Sequence, residues 1–590
     1  MDSPSSFYSS QIKKYQSQLH IATRKMGISS LLRLLVFLAI VFGIYYFFGN
    51  FKAIIPILII GIGIFIFLVS RHSDLKYKRD KFLELIRINE IEKEVLNRNF
   101  HQLPTGKEFE DPLHPYSQDI DLFGKASFFQ YLNRTALAEG KKKLAFLLLE
   151  NEIENIEEKQ NAIKELAKKA DWRQNFSALA SLVKTETSSN EILDWLKNYK
   201  SFVPAAMKWL PNLFTVLSVV VIAAYFMDYI GAMQILLWMV IGLGITGFYL
   251  KKVNLLSNGV SDLQDTFHQY YQLLAQIEDT EFSSEILKRE KEKIHSEKQK
   301  TSLILKQFSK AIDALDQRNN MLFGIVGNGF MLWDLWQSYK LEKWISAYGD
   351  EVEKWFEVIE FLDAYNSLGN FAFNHPDYVF PELNHSTHIT ETTSLAHPLL
   401  DPKKRISNDI SIEKEQFFII TGANMAGKST FLRTVSLHIL MANIGLPVCA
   451  ASCKYSPIKL ITSMRTTDSL SDDESYFFSE LKRLKFIVEA IRIDQYFIIL
   501  DEILKGTNST DKAIGSRKFI EKLIRSKSTG IIATHDLSLC EVAEELPQVK
   551  NYYFDAEIIN DELNFDYKFK PGVCQNMNAS FLLKKMEIVD

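Results

Sequence analysis

Three short stretches late in the chain hold residues whose types and order suit phosphate chemistry. The first is Gly422-Ala423-Asn424-Met425-Ala426-Gly427-Lys428-Ser429, preceded by the apolar run Phe417–Ile420 and followed by Thr430 and a helical pattern. A Gly-x4-Gly-Lys-Ser loop between a strand and a helix points successive backbone N–H groups at phosphate oxygens, and the helix N-terminus adds positive potential. Glycines at both ends permit backbone geometry and close approach that a Cβ would hinder. Lys428 is placed to reach the β- and γ-phosphates and the Ser429 hydroxyl to coordinate Mg²⁺. The expected cofactors are ATP and Mg²⁺, with residues 422–430 as the nucleotide cradle.

The second stretch is the apolar run Tyr496–Leu500, ending in Asp501-Glu502. An acid at the C-terminal end of such a strand lies beside the loop in a parallel sheet. Asp501 is expected to hold Mg²⁺ through water, and Glu502 to orient or deprotonate an attacking water. The third is Gly530–Ala533, ending in Thr534-His535. There His535 can contact the γ-phosphate or position water. A lone strand-end acid pair or His is usually structural; the ordered set of three gives these residues a catalytic reading.

Positioning such a set requires strands alternating with helices, an α/β P-loop ATPase domain expected over residues 396–590. A break in composition at 371–391, with His375-Pro376 and Phe380-Pro381, precedes it. Upstream, residues 73–99, 141–170 and 261–318 carry apolar positions at helical spacing and few Pro or Gly. They read as an all-α region in two parts, 71–210 and 251–395, whose charge runs are solvated helix faces.

Four uncharged apolar runs interrupt the helices: 34–49, 53–69, 212–227 and 231–250. A span needs ~20 apolar residues, with a lower limit near ~17. The runs form two tight hairpins, 31–70 and 211–250, which favours transmembrane helices over buried core helices. Asp228 then reads as a turn residue. Arg24, Lys25, Arg33, Arg71, Lys76, Lys78, Lys197, Lys200, Lys208, Lys251 and Lys252 flank the hairpins. By the positive-inside rule, a cytoplasmic N-terminal helix (1–30) and both large regions face the cytoplasm from a multi-pass inner membrane location. A fifth run, Met321–Trp336, is short and contains Asn328 and Asp334, and reads as a buried core helix.

Composition sets outer limits. With 590 residues the chain has room for three or four domains, and its formal net charge of −4 gives no global footprint for nucleic acid. Four cysteines are too few for a disulfide scaffold, and Cys449 and Cys453 lack a second ligand pair at zinc-finger spacing.

With these motifs set out, the sequence resembles the MutS family of ATPases. The resemblance is carried by TGANMAGKSTFLRT, by LDEILKGTNSTDKAIG at Leu500–Gly515, by ATHDLSL at Ala533–Leu539, by YKFKPGV at Tyr567–Val573 and by His397-Pro398-Leu399. Upstream, Asp121–Leu144 and Tyr270–Leu287 look like segments of that family's lever domain. The resemblance implies a homodimer with composite ATP sites, Ser475 in DDESYFFSELKRL making the contact in trans and Glu480 on the next helical turn. It also implies duplex DNA as a partner and a mismatch-repair role. Against it, the mismatch-reading domain has no counterpart, the second hairpin stands where clamp helices are expected, and Arg405 or Ile406 stands where a base-stacking aromatic is expected. An alternative is a MutS-like ATPase acting on a membrane or protein partner. A fused ABC-type transporter fits poorly, because no LSGGQ-like signature is present.

Overall fold

A run of long helices opens the chain. The computed structural model describes residues 3–49, 51–182, 188–261, 263–296, 299–384, 387–423, 425–465, 476–505, 507–559 and 562–575. Helices α1 (Pro4–Tyr46) and α2 (Phe51–Leu96) pair as a hairpin. The first half of α1 buries Tyr8, Tyr15, Ala22 and Ser29. That seven-residue spacing keeps one seam of the helix facing its neighbours. Tyr8 donates from its hydroxyl to Asn374 Oδ1 at 2.6 Å, and Gln11 Nε2 donates to Asp171 at 2.9 Å. Beyond Arg33 the helix is apolar all round and exposes Leu34, Phe37 and Phe42. A helix of that composition has no water-facing side.

Short helices α3 (Phe128–Leu132), α4 (Ala138–Leu149), α5 (Ile156–Lys168), α6 (Ala170–Ala180) and α7 (Ser189–Asn198) lead to a second apolar hairpin, α8 (Leu210–Phe226) and α9 (Ala232–Ser261). Then come α10 (Gln264–Glu278), α11 (Glu285–Lys293), α12 (Thr301–Asp316), α13 (Met321–Met331), α14 (Trp333–Tyr348) and α15 (Val352–Asn374). Helix α15 is the spine of this region. It is buried along most of its length and packs on α4, α5 and α6.

Among the described residues, three helices are long and apolar enough to cross a membrane, judged by length and composition: α1, Pro56–Leu96 of α2, and α9. Helix α8, expected as a fourth, has 17 residues and falls short of that length. The run Met321–Trp336 departs from its expected form. It is two helices divided at Leu332, whose φ of 50° ends the first, and α13 turns Met321, Leu322 and Val326 outward instead of into a core. Asn328 and Asp334 are buried at the break itself.

The C-terminal region is mixed α/β. Strands β1 (Glu382–Leu383), β2 (His388–Leu395), β3 (Asn408–Glu413) and β5 (Ser452–Tyr455) form one sheet in the order β1-β5-β2-β3. Its first two strands lie ahead of residue 396, because β2 pairs along its length with both β3 and β5. The main sheet runs β12 (Lys570–Pro571), β9 (Val549–Phe554), β4 (Phe417–Gly422), β8 (Thr529–Ala533), β7 (Tyr496–Asp501), β6 (Lys459–Ser463). All its pairs are parallel except β12 with β9. Strands β4 and β8 are wholly buried, which explains their uninterrupted apolar sequences. Helices α16 (Lys428–Asn443), α17 (Tyr476–Ala490) and α18 (Ser509–Arg525) pack around this sheet, and β10 (Glu557–Ile559) and β11 (Glu562–Asn564) make a separate hairpin.

Candidate functional site

Parallel strands bring their C-terminal ends to one edge, and there the three sequence stretches meet. Strand β4 runs into the loop, β7 ends in Asp501 and β8 in Ala533, with β8 hydrogen-bonded between the other two. Both loop glycines adopt φ values that an L side chain rarely takes, 150° at Gly422 and 102° at Gly427. A Cβ on Gly422 would sit 2.6 Å from the Phe554 carbonyl oxygen, and one on Gly427 would sit 3.0 Å from the Tyr567 ring. Gly427 caps α16, so the first N–H groups of a 16-residue helix open onto the loop.

Lys428 is almost completely buried. Its Nζ donates to the Gly422 carbonyl at 2.7 Å and the Ala423 carbonyl at 3.0 Å, which folds the loop around the ammonium. Burial lowers its pKa, while Asp501 and Glu502 oppose that shift. Ser429 donates from Oγ to Asp501 Oδ2 at 2.7 Å. His535 Nε2 lies 2.9 Å from Glu502 Oε1 and 3.3 Å from Lys428 Nζ. A protonated Nε2 donates to the carboxylate and then has no lone pair for the ammonium, so the shorter contact governs. The His535 hydrogen bond holds the Glu502 carboxyl down at about 2, against the raising effect of burial. Glu502 itself sits at φ 51°, with its N–H donating to the Ala533 carbonyl of β8 at 2.9 Å.

Met425 stands out of the loop, 77% exposed at φ 68°, whereas Ala426 is buried and Thr430 lies exposed in the first turn of α16. Asn424 and Ser475 lie outside the described residues. Ala423, Met425, Gly427, Lys428, Ser429, Thr430, Asp501, Glu502 and His535 line a single cavity of about 280 Å³, whereas Gly422 and Ala426 lie outside its lining.

Two features go beyond what sequence reasoning assigned. Glu480 on α17 is buried and accepts the backbone N–H groups of Leu504 and Lys505, the latter at 3.0 Å. It thereby fixes the turn that follows Glu502. Its position in the chain hinted only at proximity. The second feature is a neighbouring cavity of about 270 Å³ that shares Gly427 and Thr430 with the first and is lined by His397, Ile406, Phe431 and Tyr567. Asn408 closes it by donating from Nδ2 to the Tyr567 carbonyl at 3.0 Å and accepting from the Phe569 N–H at 2.9 Å. Burial lowers the pKa of His397 to about 4, which keeps that ring neutral. Tyr567 belongs to the YKFKPGV motif, but it arrives from a segment more than a hundred residues downstream, so its place beside the loop is not announced locally.

Fold and site together define an α/β protein whose parallel strands deliver a glycine loop, a lysine, a serine, two acids and a histidine to one edge. Residues 418–586 match the family model described as MutS domain V. The chain is 31% identical over 244 residues to human MutS protein homolog 4, covering 39% of this chain and 25% of that protein. It is 31% identical over 243 residues to the DNA mismatch repair protein MutS of Flavobacterium johnsoniae, covering 40% and 28%. Similarity to the DNA mismatch repair protein MSH4 of Arabidopsis thaliana is 29% over 240 residues, covering 39% and 30%. The matched part thus amounts to between 25% and 30% of these relatives' length. Over this part the chain is similar to proteins of the MutS family.

Proposed function

We propose that this chain is a membrane-anchored ATPase of the MutS family that binds and hydrolyses ATP with Mg²⁺ and couples this to rearrangement of a homodimer acting on duplex DNA. The observation that carries the ATPase reading is the convergence of Lys428, Ser429, Asp501, Glu502 and His535 on one cavity at the ends of β4, β7 and β8. Ser429 and Asp501 offer hard oxygen donors at one point, the ligand type Mg²⁺ takes alongside water and phosphate oxygens. When bound there, Mg²⁺ would offset charge on the β- and γ-phosphates.

The chain's own groups divide the remaining work. Lys428 transfers its donors from the Gly422 and Ala423 carbonyls to phosphate oxygens. Backbone N–H groups of the loop and of the first turn of α16 hold the same oxygens. With a carboxyl held at about 2, Glu502 is a weak base. Its role is to accept a hydrogen bond from water and orient it, with His535 fixing the carboxylate. The neighbouring cavity beside Tyr567 and Ile406, lined by polar groups such as Lys404 and Asn408 as well as by aromatic rings, takes the nucleoside end. Ser475 is assigned the contact across the dimer. In this reading residues 1–30 form a cytoplasmic helix, 31–70 and 211–250 membrane hairpins, 71–210 and 251–395 the lever region, and 396–590 the ATPase domain, all facing the cytoplasm outside the hairpins.

Lys428→Ala tests the site directly: ATP hydrolysis by the full chain in detergent should fall to background, and retained hydrolysis would remove the assignment. The DNA part rests on the relatives' names. One observation favours the alternative, action on a membrane or protein partner. Helices α8 and α9 turn Val216, Val220, Leu237 and Val240 outward, and residues 211–250 contain no Lys or Arg to meet a phosphate backbone. Duplex binding that weakens steeply with salt supports the DNA reading; absence of binding at low salt leaves the alternative.

A further inference from the structure

The α13 excursion begins and ends at one place. Arg318, just before α13, pairs with Asp334, just after it, at 2.9 Å, and both side chains are largely buried. Beside that pair, Trp333 Nε1 donates to the Ala314 carbonyl at 2.7 Å. The chain therefore leaves the helical region at the end of α12, makes an 11-residue helix and returns to its point of departure. Such a helix is about 16 Å long, roughly half the thickness of a bilayer's hydrocarbon core.

What α13 touches is the second apolar hairpin. Ser218 of α8 places its hydroxyl 2.8 Å from both the Phe330 carbonyl and the Phe214 carbonyl of its own helix, which share its one proton, and accepts from Trp238 Nε1 at 2.8 Å. Gly242 of α9 lies so close to Gly329 that a Cβ on it would run into that residue's carbonyl, and a Cβ on Gly329 would meet Met239. Small residues that let backbones touch are how helices associate where water supplies no hydrophobic force. Most polar groups of the break find partners inside the protein, Asp334 Oδ1 being a buried exception. Asn320 caps the start of α13 by accepting from the Phe323 N–H, and Asn328 Oδ1 accepts from the Asp334 N–H at 2.9 Å. Irregular backbone survives at membrane depth only when satisfied in this way.

Among the described residues, none covers the opposite face of α13. Met321 and Leu322 are each 77% exposed, and Ile325 and Val326 continue the same face one turn on. This face is continuous with the outward apolar faces of α8 and α9. At the root, where α14 packs near the start of α8, Lys340 lies 3.7 Å from the Trp336 ring centroid and Trp209 is exposed. Tryptophan and lysine of this kind mark a membrane–water boundary.

We propose that α13 is a re-entrant, lipid-facing half-helix that completes hairpin 2 as a three-helix membrane unit, its partner being the acyl-chain region of a bilayer. The proposal rests on the membrane reading of that hairpin. It accounts for α8, whose 17 residues are short for a span: α13 shields part of the hairpin on its inner side.

Single cysteines test it, since the native cysteines are all buried. Leu322→Cys and Val326→Cys probe α13, Val219→Cys and Ile241→Cys probe the hairpin, and Leu113→Cys is a water-exposed reference. Each full-length variant is spin-labelled, reconstituted into phosphatidylcholine–phosphatidylglycerol vesicles and measured for collision with oxygen and with a water-soluble nickel chelate. The expected result is that labels at 322 and 326 match those at 219 and 241, with severalfold greater access to oxygen than the label at 113. If 322 and 326 behave like 113 while 219 and 241 face lipid, the α13 proposal fails and the membrane hairpin stands. Water-like labels at 219 and 241 overturn both. Labels at 322 and 326 that are hidden from both probes and couple to a second copy's label overturn lipid as the occupant.

Discussion

At the residue scale, the tightest coupling in the site is between Glu502 and His535. The histidine's hydrogen bond depresses the carboxyl from its ordinary range to about 2, so the folded protein favours the ionised form. A depressed carboxyl contributes stability that is complete above its unfolded pKa, near ~4.3 for glutamate, and is lost as pH falls through the folded value. His535→Ala removes the leading cause of the depression. The thermal midpoint of the wild type should therefore exceed that of His535→Ala at pH 5, and the gap should shrink steadily toward pH 2. An unchanged gap across that window would mean that the pair is not coupled in solution. The effect will be modest, because both side chains remain partly open to solvent.

At the element scale, the question is what holds the turn after β7 in place. Glu480 reaches across from α17 and accepts two backbone N–H groups there. Truncation leaves those donors unsatisfied, at a cost of about 1–3 kcal/mol for a buried group. Because the turn directly follows Glu502, Glu480→Ala should lower kcat for ATP hydrolysis more than it raises KM. Glu480→Gln keeps a carbonyl acceptor and should recover much of the loss. Equal damage from both variants would point to charge instead of positioning. The same scale shows what the sequence discloses. Strands β4, β7 and β8 are legible because burial on both faces makes them apolar runs, and their ends mark the site at Gly422, Asp501 and His535. Glu480 and Tyr567 stand in motifs the sequence displays, but their roles are not legible, since these arise from contacts between segments distant in the chain. Nor is the break at Leu332, because leucine carries no local signal for a positive φ.

At the scale of the whole molecule, the helical and α/β regions share one continuous apolar core running from Val95 through Leu166 and Phe371 to Phe418 and Phe554. Polar contacts stitch the same seam. Asn151 donates to the Leu460 carbonyl and accepts from its N–H, each at 2.9 Å, and Gln160 donates to the Pro381 carbonyl at 2.9 Å. The densest stitch is at Asp119 and Asp121. Asp119 is buried and accepts from the Thr462 hydroxyl at 2.6 Å and from the N–H groups of Met464 and Arg465 at 3.1 and 2.8 Å. Asp121, more open, pairs with Arg433 of α16 at 2.9 Å and Arg465 at 2.7 Å. These neighbours should respond differently. Exposed ion pairs contribute about 0–1 kcal/mol, so Asp121→Ala should leave stability almost unchanged. It removes, however, the ion pair between α16 and this segment, leaving Arg433 its bond to the Asp119 carbonyl at 3.2 Å, and ATP hydrolysis should change although no site residue is touched. Asp119→Ala strands three donors, each worth about 1–3 kcal/mol when buried and unpaired, and should destabilise severely. Because one core spans both regions, the loss should appear as a single earlier transition reported together by tryptophans of the helical region and by protease cleavage in the α/β region. Two separate transitions would show that the regions fold as independent units and that the seam is a contact surface, not a shared core.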